Sequence, residues 1–317
     1  MSRRPGHLNK LVLAFLLMAF APAKAGAYRE EPQQDGGNVA IRTLPVQGNV
    51  YMLVGARGNT TVQVGDEGVL VVDTQFEQDA PKLLEAIRKI SDKPVVWIIN
   101  THFHPENTGG NEALPRLANS GTGTRPRVIA HENVLNRMTA STQPRFPEVT
   151  WPNDEFHTAQ KDIAFNGEAI VIEHMPAAHT DGDSIVHFRR SDVLSVGDLF
   201  TPGRYPTIDL QNGGSVQGLI DGLNRILKIT VPLKYQEGGT YVIPGHGRLC
   251  DEADVVEYRD MLTIIRDRVQ DLIRKGMTLE QIKAAKPTRD YDTEYGIDAR
   301  ANEAFLETVY KSLSQKK

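Results

Sequence analysis

Residues 95–107 read VVWIINTHFHPEN. The first five are apolar and mostly β-branched, which is typical of a buried strand. His102 and His104 follow closely, and side chains two positions apart share a face on extended chain. Both imidazoles can therefore converge on one point just past the end of the strand. Imidazole suits zinc, and a catalytic zinc keeps three protein ligands and an open position for water.

Three further polar residues also follow strand-like, apolar runs. They are His179, Asp198 and His246, the last two beside glycines that let the backbone turn sharply. Loops at strand ends commonly carry functional residues, because the rigid sheet positions them. A capping or loop role would explain any one of these residues alone. Together with the first two histidines, they favour a shared site.

The remaining pattern predicts two groups of strands, each followed by helices. Short strands between 39 and 73 form an antiparallel meander, and a helix over 80–90 follows. A second group of strands lies between 163 and 196, and the C-terminal third is helical. Residues 140–160 contain three prolines and are interpreted as a surface loop or flap. We expect a sheet-on-sheet core with helices outside.

Five short motifs, in this order along the chain, resemble those of the metallo-β-lactamase superfamily of hydrolases. The resemblance covers roughly residues 40–250 and implies an α/β (α+β) fold, a four-layer αββα sandwich with a metal site at one edge of the two sheets. The matching stretches are Asn100-Thr101-His102-Phe103-His104, Thr108-Gly109-Gly110-Asn111, Ala178-His179-Thr180-Asp181-Gly182-Asp183-Ser184, Gly197-Asp198-Leu199-Phe200 and Pro244-Gly245-His246-Gly247.

The same resemblance implies the metal ligands and the cofactor. His102, His104 and His179 would bind the first metal, Asp198 would bridge, and His246 would bind the second. The expected cofactor is Zn²⁺, with one ion firmly bound and a second one left open.

The sequence departs from the superfamily pattern inside its first motif. The superfamily usually continues His-x-His-x-Asp-His, whereas Glu106 and Asn107 stand at the last two positions. One interpretation is a mononuclear zinc hydrolase in which Glu106 acts as general base or orients the attacking water. A second is a dinuclear enzyme whose altered second site uses Asp198, His246 and Glu106. A third is a metal-binding protein that has lost catalysis, which we favour less because the other ligands match.

The function implied is metal-assisted hydrolysis of a small-molecule substrate, with Glu106 and Asp198 as the catalytic residues. Metal-bound hydroxide would cleave an acyl bond in a lactam, a lactone or another ester or amide. One alternative is a non-catalytic periplasmic metal-binding or accessory protein on the same fold. Another is an iron-dependent oxidoreductase resembling sulfur dioxygenases, against which the histidine at position 104 argues. No Gly-x-Ser-x-Gly motif or phosphate-binding P-loop is present in the sequence.

Composition and the N-terminal sequence indicate which partners, location and domain organisation to expect. The chain has 317 residues, a net charge of −4 and no basic stripe, which argues against nucleic acid as a partner. Basic residues, a short apolar run and Ala23-Lys24-Ala25 predict a signal peptide over 1–25, followed by a flexible lead-in over 26–37. Residues 38–317 are predicted to form one domain, periplasmic or secreted, with no membrane association after cleavage. The single cysteine, Cys250, is interpreted as a small buried hydrophobe rather than a thiolate.

Overall fold

A computed structural model describes residues 40–140, 146–232 and 239–314; the predicted signal peptide and lead-in lie outside these ranges. A first sheet has the strand order β1-β2-β3-β4-β5-β6-β7. Neighbouring strands are antiparallel from β1 to β4, which confirms the predicted meander, and parallel from β4 to β7. The strands are β1 (Arg42–Gln47), β2 (Val50–Gly55), β3 (Gly58–Gly65), β4 (Gly68–Val72), β5 (Val95–Ile99), β6 (Arg127–His131) and β7 (Asp154–Phe156).

A second sheet has the order β12-β11-β10-β9-β8. Its strands pair antiparallel except for β11 and β12, which run parallel. Parallel pairing brings the ends of β11 and β12, and hence the loops that follow them, to the same edge of the sheet. The strands are β8 (Gln160–Phe165), β9 (Glu168–Met175), β10 (Asp183–Phe188), β11 (Val193–Ser195) and β12 (Tyr241–Ile243).

Helices lie between the strands and dominate the C-terminal part. No described helix combines the length and the apolar character needed to cross a membrane. The helices are α1 (Ala80–Arg88), α2 (Pro105–Thr108), α3 (Ala113–Ala118), α4 (Glu132–Thr139), α5 (Val216–Ile229), α6 (Glu252–Arg274), α7 (Leu279–Ala285), α8 (Asp292–Tyr295) and α9 (Ala299–Ser314).

Three apolar clusters define the layers. The central cluster joins the inner faces of the two sheets through residues such as Met52, Ile99, Ile172 and Phe188. A second cluster packs α1 and α3 on the outer face of the first sheet. A third packs α5, α6 and α9 on the outer face of the second sheet. The predicted αββα order of layers is therefore confirmed.

Helix α6 shows how the sequence sets these boundaries. It begins with a capping box in which the side chains of Asp251 and Asp254 each bond the other's backbone N–H. Its apolar stripe is buried, as the helical spacing predicts. The buried residues of this helix are Val255, Tyr258, Met261, Leu262, Ile265 and Val269.

The stretch predicted as a loop or flap over 140–160 is partly regular structure. A 3-10 turn spans Glu148–Thr150, and β7 pairs parallel with β6 at the edge of the first sheet. Residues 141–145 lie outside the described part of the chain. The loop prediction was wrong for β7, because a strand of three residues is too short to show the alternating pattern by which strands are recognised.

Candidate metal centre

Three predicted histidines meet at the edge where the strands end. His102 and His104 lie in the loop between β5 and α2, and His179 lies in the loop between β9 and β10. One ring nitrogen from each residue lies within 4.8 Å of the other two. His104 Nδ1 lies 3.0 Å from His179 Nε2. Three imidazole nitrogens at such spacing match the donor set of a catalytic zinc.

The other nitrogen of each ring faces a protein oxygen. Such outer partners fix the tautomer and orientation of imidazole ligands, and they accompany metal-binding histidines in most proteins. The pairs are His102 Nδ1 with Thr101 Oγ1 at 3.1 Å, His104 Nε2 with Asp209 Oδ2 at 3.1 Å, and His179 Nδ1 with the carbonyl oxygen of Thr207 at 2.8 Å.

His102 provides the test of whether this cluster suits a metal. Its Nε2 is buried and has no hydrogen-bond partner among the described residues. Burial lowers the pKa of His102 well below the usual histidine value, and the neighbouring His179 lowers it further. The ring is therefore neutral near pH 7, which is the form that ligates metals. A buried donor atom of this kind fits a metal ligand better than a structural histidine.

Asp198 and His246 adjoin the three histidines. Asp198 Oδ2 lies 3.6 Å from His246 Nε2 and 3.9 Å from His179 Nε2. Burial raises the pKa of Asp198, but the imidazoles of His246, His102 and His179 outweigh the effect of burial. The pKa of Asp198 is therefore lowered. The carboxylate is thus ionised, and its other oxygen, Oδ1, is buried with no hydrogen-bond partner among the described residues.

Two glycines make this approach possible. Gly197, which precedes Asp198, has a φ of +51°, a backbone conformation that residues other than glycine rarely adopt. Gly245 donates a backbone hydrogen bond of 2.7 Å to the carbonyl oxygen of Gly197. A Cβ at position 245 would lie only 2.0 Å from Asp198 Oδ1. The loops after β11 and β12 can therefore meet only because glycine occupies these positions.

Glu106 and Asn107 face different surroundings. Glu106 lines a cavity of about 310 Å³ together with Asp198 and His246. Asn107 is buried, and its Nδ2 donates a hydrogen bond of 3.0 Å to Asp73. The side chain of Asn107 is therefore engaged in supporting the loop, whereas Glu106 is directed toward the site.

Asp73 fixes the backbone beneath His102. It accepts hydrogen bonds from the backbone nitrogen of Thr101 at 2.9 Å and from its Oγ1 at 2.7 Å. Burial raises the pKa of Asp73 to about 7, although these hydrogen bonds oppose the shift. Since Thr101 Oγ1 also contacts the ring of His102, Asp73 acts on the cluster through Thr101.

The sequence did not single out Asp209 or Thr207 as partners of the histidines. Residues 205–214 contain two glycines and mix aromatic with polar residues, a composition that fits a cleft wall and an ordinary loop equally well. In the structure Thr207 lines the cavity, and Asp209 lies on the far side of the His104 ring. Only long-range packing could reveal this, because Asp209 is 105 positions from His104.

Four further described histidines, His131, His157, His174 and His187, do not belong to the three-histidine cluster. His131 stacks on His174 with ring centroids 3.5 Å apart, and His157 lies 2.9 Å from a carboxylate oxygen of Glu132. Cys250 is buried, and burial raises the pKa of its thiol. Its burial and raised pKa support the interpretation of Cys250 as a small buried hydrophobe rather than a thiolate.

The model of the metallo-beta-lactamase superfamily matches residues 47–252. The chain belongs to this superfamily. The match runs from the last residue of β1 to the first residue of α6, and all five predicted ligands lie within it. The predicted family and the predicted fold are therefore confirmed.

Two curated relatives are hydrolases by name. Linear primary-alkylsulfatase from a Pseudomonas species is 38% identical over 73 residues, which are 23% of this chain and 14% of the alkylsulfatase. Metallo-beta-lactamase IND-1 from Chryseobacterium indologenes is 23% identical over 236 residues, 74% of this chain and 89% of the lactamase.

Solved structures share the fold. The inverting sec-alkylsulfatase Pisa1 from a Pseudomonas species superimposes with a TM-score of 0.67 at 18% identity, over 86% of this chain and 50% of that one. A metallo-beta-lactamase from Pontibacter korlensis gives a TM-score of 0.55 at 17% identity, over 70% of this chain and 99% of that one. The chain thus spans half or less of the two alkylsulfatases.

Proposed function

We propose that the chain is an exported, zinc-dependent hydrolase that cleaves an acyl bond in a small molecule. The observation that carries this proposal is the convergence of His102, His104 and His179, together with the buried Nε2 of His102, which has no hydrogen-bond partner among the described residues. When bound, zinc would polarise the scissile bond and lower the pKa of water to about 7. His102, His104 and His179 are the residues that would hold it.

Asp198 and His246 are proposed to complete the site. The ionised carboxylate of Asp198 lies between His246 and His179, where it can hold a water molecule or a second cation by charge and by hydrogen bonding. Its buried Oδ1 is an acceptor with no partner among the described residues, so it can orient such a group at little cost.

Glu106 is proposed as the general base. It lines the same cavity as Asp198. Burial lowers the pKa of His246, but the Asp198 carboxylate and, to a smaller extent, Glu106 outweigh burial and raise it, so Glu106 lies near that imidazole. A carboxylate facing the cavity can accept a proton from attacking water, an effect worth about 100- to 10,000-fold in rate. The neighbouring Asn107 is held by Asp73 and does not share this role.

A sulfate ester is the second candidate substrate. The similarity to alkylsulfatases in sequence and in fold favours it over other non-acyl esters. Arg204 lines the cavity beside Asp198 and His246, and a guanidinium suits an anionic group such as sulfate. Acyl esters, lactams and alkyl sulfates should therefore be tested side by side.

The decisive experiment is metal analysis of the purified mature protein by mass spectrometry, followed by assay of the metal-loaded enzyme on these substrate classes. About one zinc per chain would support a mononuclear hydrolase that uses Glu106, and about two would support a second site built on Asp198 and His246. Bound iron with oxygen consumption would favour the oxidoreductase instead. Metal binding without turnover of any class would favour the accessory protein.

Export is proposed from the N-terminal sequence, which lies outside the described residues. Cleavage after Ala25 would leave a mature chain beginning at Gly26. N-terminal sequencing of protein recovered from the periplasm or the medium tests this. A mature protein that retains Met1 and stays in the cytoplasm would contradict it.

A further inference from the structure

We propose that Asp209 is a positioning residue that fixes His104 as a metal ligand through Nδ1, an inference that rests on the proposed zinc site. Asp209 Oδ2 lies 3.1 Å from His104 Nε2. On the opposite side of the same ring, His104 Nδ1 lies 3.0 Å from His179 Nε2, inside the cluster. The two nitrogens of one ring thus have separate tasks.

The chemistry of imidazole makes this contact decisive. A neutral ring carries its proton on one nitrogen and a lone pair on the other, and only the lone pair can bind a metal. A carboxylate that accepts a hydrogen bond from Nε2–H holds the proton there and leaves the lone pair of Nδ1 facing the cluster. Without that acceptor, His104 can change tautomer or rotate away from its partners.

Asp209 is itself held rigidly. Its Oδ2 accepts a hydrogen bond of 2.6 Å from Asn212 Nδ2, and its Oδ1 accepts one of 3.1 Å from the backbone nitrogen of Asn212. The backbone nitrogen of Asp209 donates to the carbonyl oxygen of His179 at 2.9 Å, and Gly214 donates to the carbonyl oxygen of Asp209 at 2.8 Å. The carboxylate therefore has little freedom to leave His104.

One segment, residues 207–214, orients two rings of the cluster. Its Thr207 carbonyl oxygen lies 2.8 Å from His179 Nδ1, while its Asp209 carboxylate holds His104. At the end of the segment, a Cβ on Gly214 would lie 2.3 Å from the carbonyl oxygen of His179. The segment is therefore packed against the backbone of His179, one of the two residues whose rings it orients.

The geometry separates this role from direct ligation. Asp209 faces Nε2 of His104, whereas the nitrogen that points into the cluster is Nδ1. Asp209 can reach an ion between His102, His104 and His179 only if the ring of His104 first leaves its place. Asp209 accordingly acts through His104 and is not a catalytic residue.

The test compares Asp209→Asn with two control variants. Asp209→Asn keeps the shape of the side chain but can place a donor nitrogen opposite His104 Nε2–H. Asp221→Asn makes the same chemical change at an exposed position in α5, where the carboxylate accepts a hydrogen bond of 2.9 Å from Gln217. Asn212→Ala removes the support of Asp209 and keeps its carboxylate. Zinc affinity is measured by competition with a chromogenic chelator, and unfolding of the metal-free proteins by urea.

Zinc affinity of Asp209→Asn should fall about 10- to 100-fold, the usual effect of losing such an outer partner. Asp221→Asn should match the wild type, and Asn212→Ala should fall between the two. In the zinc-loaded wild type, the Nε2–H proton of His104 should give a protected NMR signal that Asp209→Asn loses. A merely structural role would instead lower the stability of the metal-free protein and leave zinc affinity unchanged.

The zinc measurements distinguish failure of the positioning role of Asp209 from failure of the proposed zinc site. If the wild type and Asp221→Asn bind zinc equally and Asp209→Asn binds it as tightly, the positioning role is overturned while the zinc site stands. If neither the wild type nor Asp221→Asn binds zinc, the proposed metal site fails and the role of Asp209 fails with it.

Discussion

Gly245→Ala tests whether close packing of two loops places the Asp198 carboxylate. The added Cβ would lie 2.0 Å from Asp198 Oδ1 and 2.9 Å from the backbone carbonyl carbon of Gly197. Ordinary contacts of a Cβ begin at 3.4 Å, so the first contact must lengthen by about 1.4 Å. One of the two atoms belongs to the backbone, so rotation of the Asp198 side chain alone cannot relieve the overlap.

The size of the effect follows from that overlap. Forcing extra volume into a packed region usually costs about 1–3 kcal/mol, and we expect Gly245→Ala to lower the free energy of unfolding by about 2 kcal/mol. A displacement of about 1 Å in a reacting group can cost 100-fold in rate. Turnover should therefore fall about 100-fold, and any second metal held by Asp198 should be lost first.

The assay pairs urea unfolding with zinc content and turnover, and Gly222→Ala is the matched control. Gly222 lies in α5, where the nearest atom to a new Cβ is the flexible end of Leu199 at 3.2 Å. This control should change the free energy of unfolding by less than about 1 kcal/mol, since alanine also favours a helix. If Gly245→Ala resembles the control in stability, zinc content and turnover, the packing argument is refuted.

Three further predictions concern single side chains. His104→Ala should abolish zinc retention and reduce turnover to background, since it removes one of the three proposed ligands. Zinc content and turnover are measured together, and surviving activity would contradict the assignment of His104 as a ligand. Glu106→Gln should reduce turnover about 100-fold or more while zinc content stays at the wild-type value, and unchanged turnover would remove Glu106 from the mechanism. Cys250 should react with a thiol reagent only after unfolding, because it is buried and its thiol pKa is raised; labelling of the folded protein within minutes would contradict this.

The predicted layers and strand-end positions followed from local signals. An apolar run ending at Ile99, followed by histidines two positions apart, marks both a strand and the position of its loop. The apolar runs before Asp198 and His246 likewise mark a strand and the loop that follows it. The parallel pairing of β11 with β12 brings these two loops to one edge of the sheet. Periodicity reports which face of an element is buried, and in a layered fold that is enough to order the layers.

Other features depend on contacts that local sequence does not encode. Asn107 occupies a position where the superfamily pattern has histidine, and only its hydrogen bond to Asp73 shows that it supports the loop. The contact between Asp209 and His104 likewise required the chain to return after 105 positions. A single carboxylate in a glycine-rich loop has many roles open to it, and its partner in space decides among them.

The C-terminal helices belong to the site even though the family match ends at residue 252. Tyr205 lines the cavity, and its ring stacks on Phe305 of α9 with centroids 4.4 Å apart. Its hydroxyl donates to Asp292 of α8 at 2.9 Å, and its backbone nitrogen donates to the carbonyl oxygen of Tyr295 at 2.9 Å. Ile297, between α8 and α9, lines the same cavity. Because these contacts hold the wall that faces Asp198 and the histidines, the residues that shape the cavity lie partly outside the region that the superfamily shares.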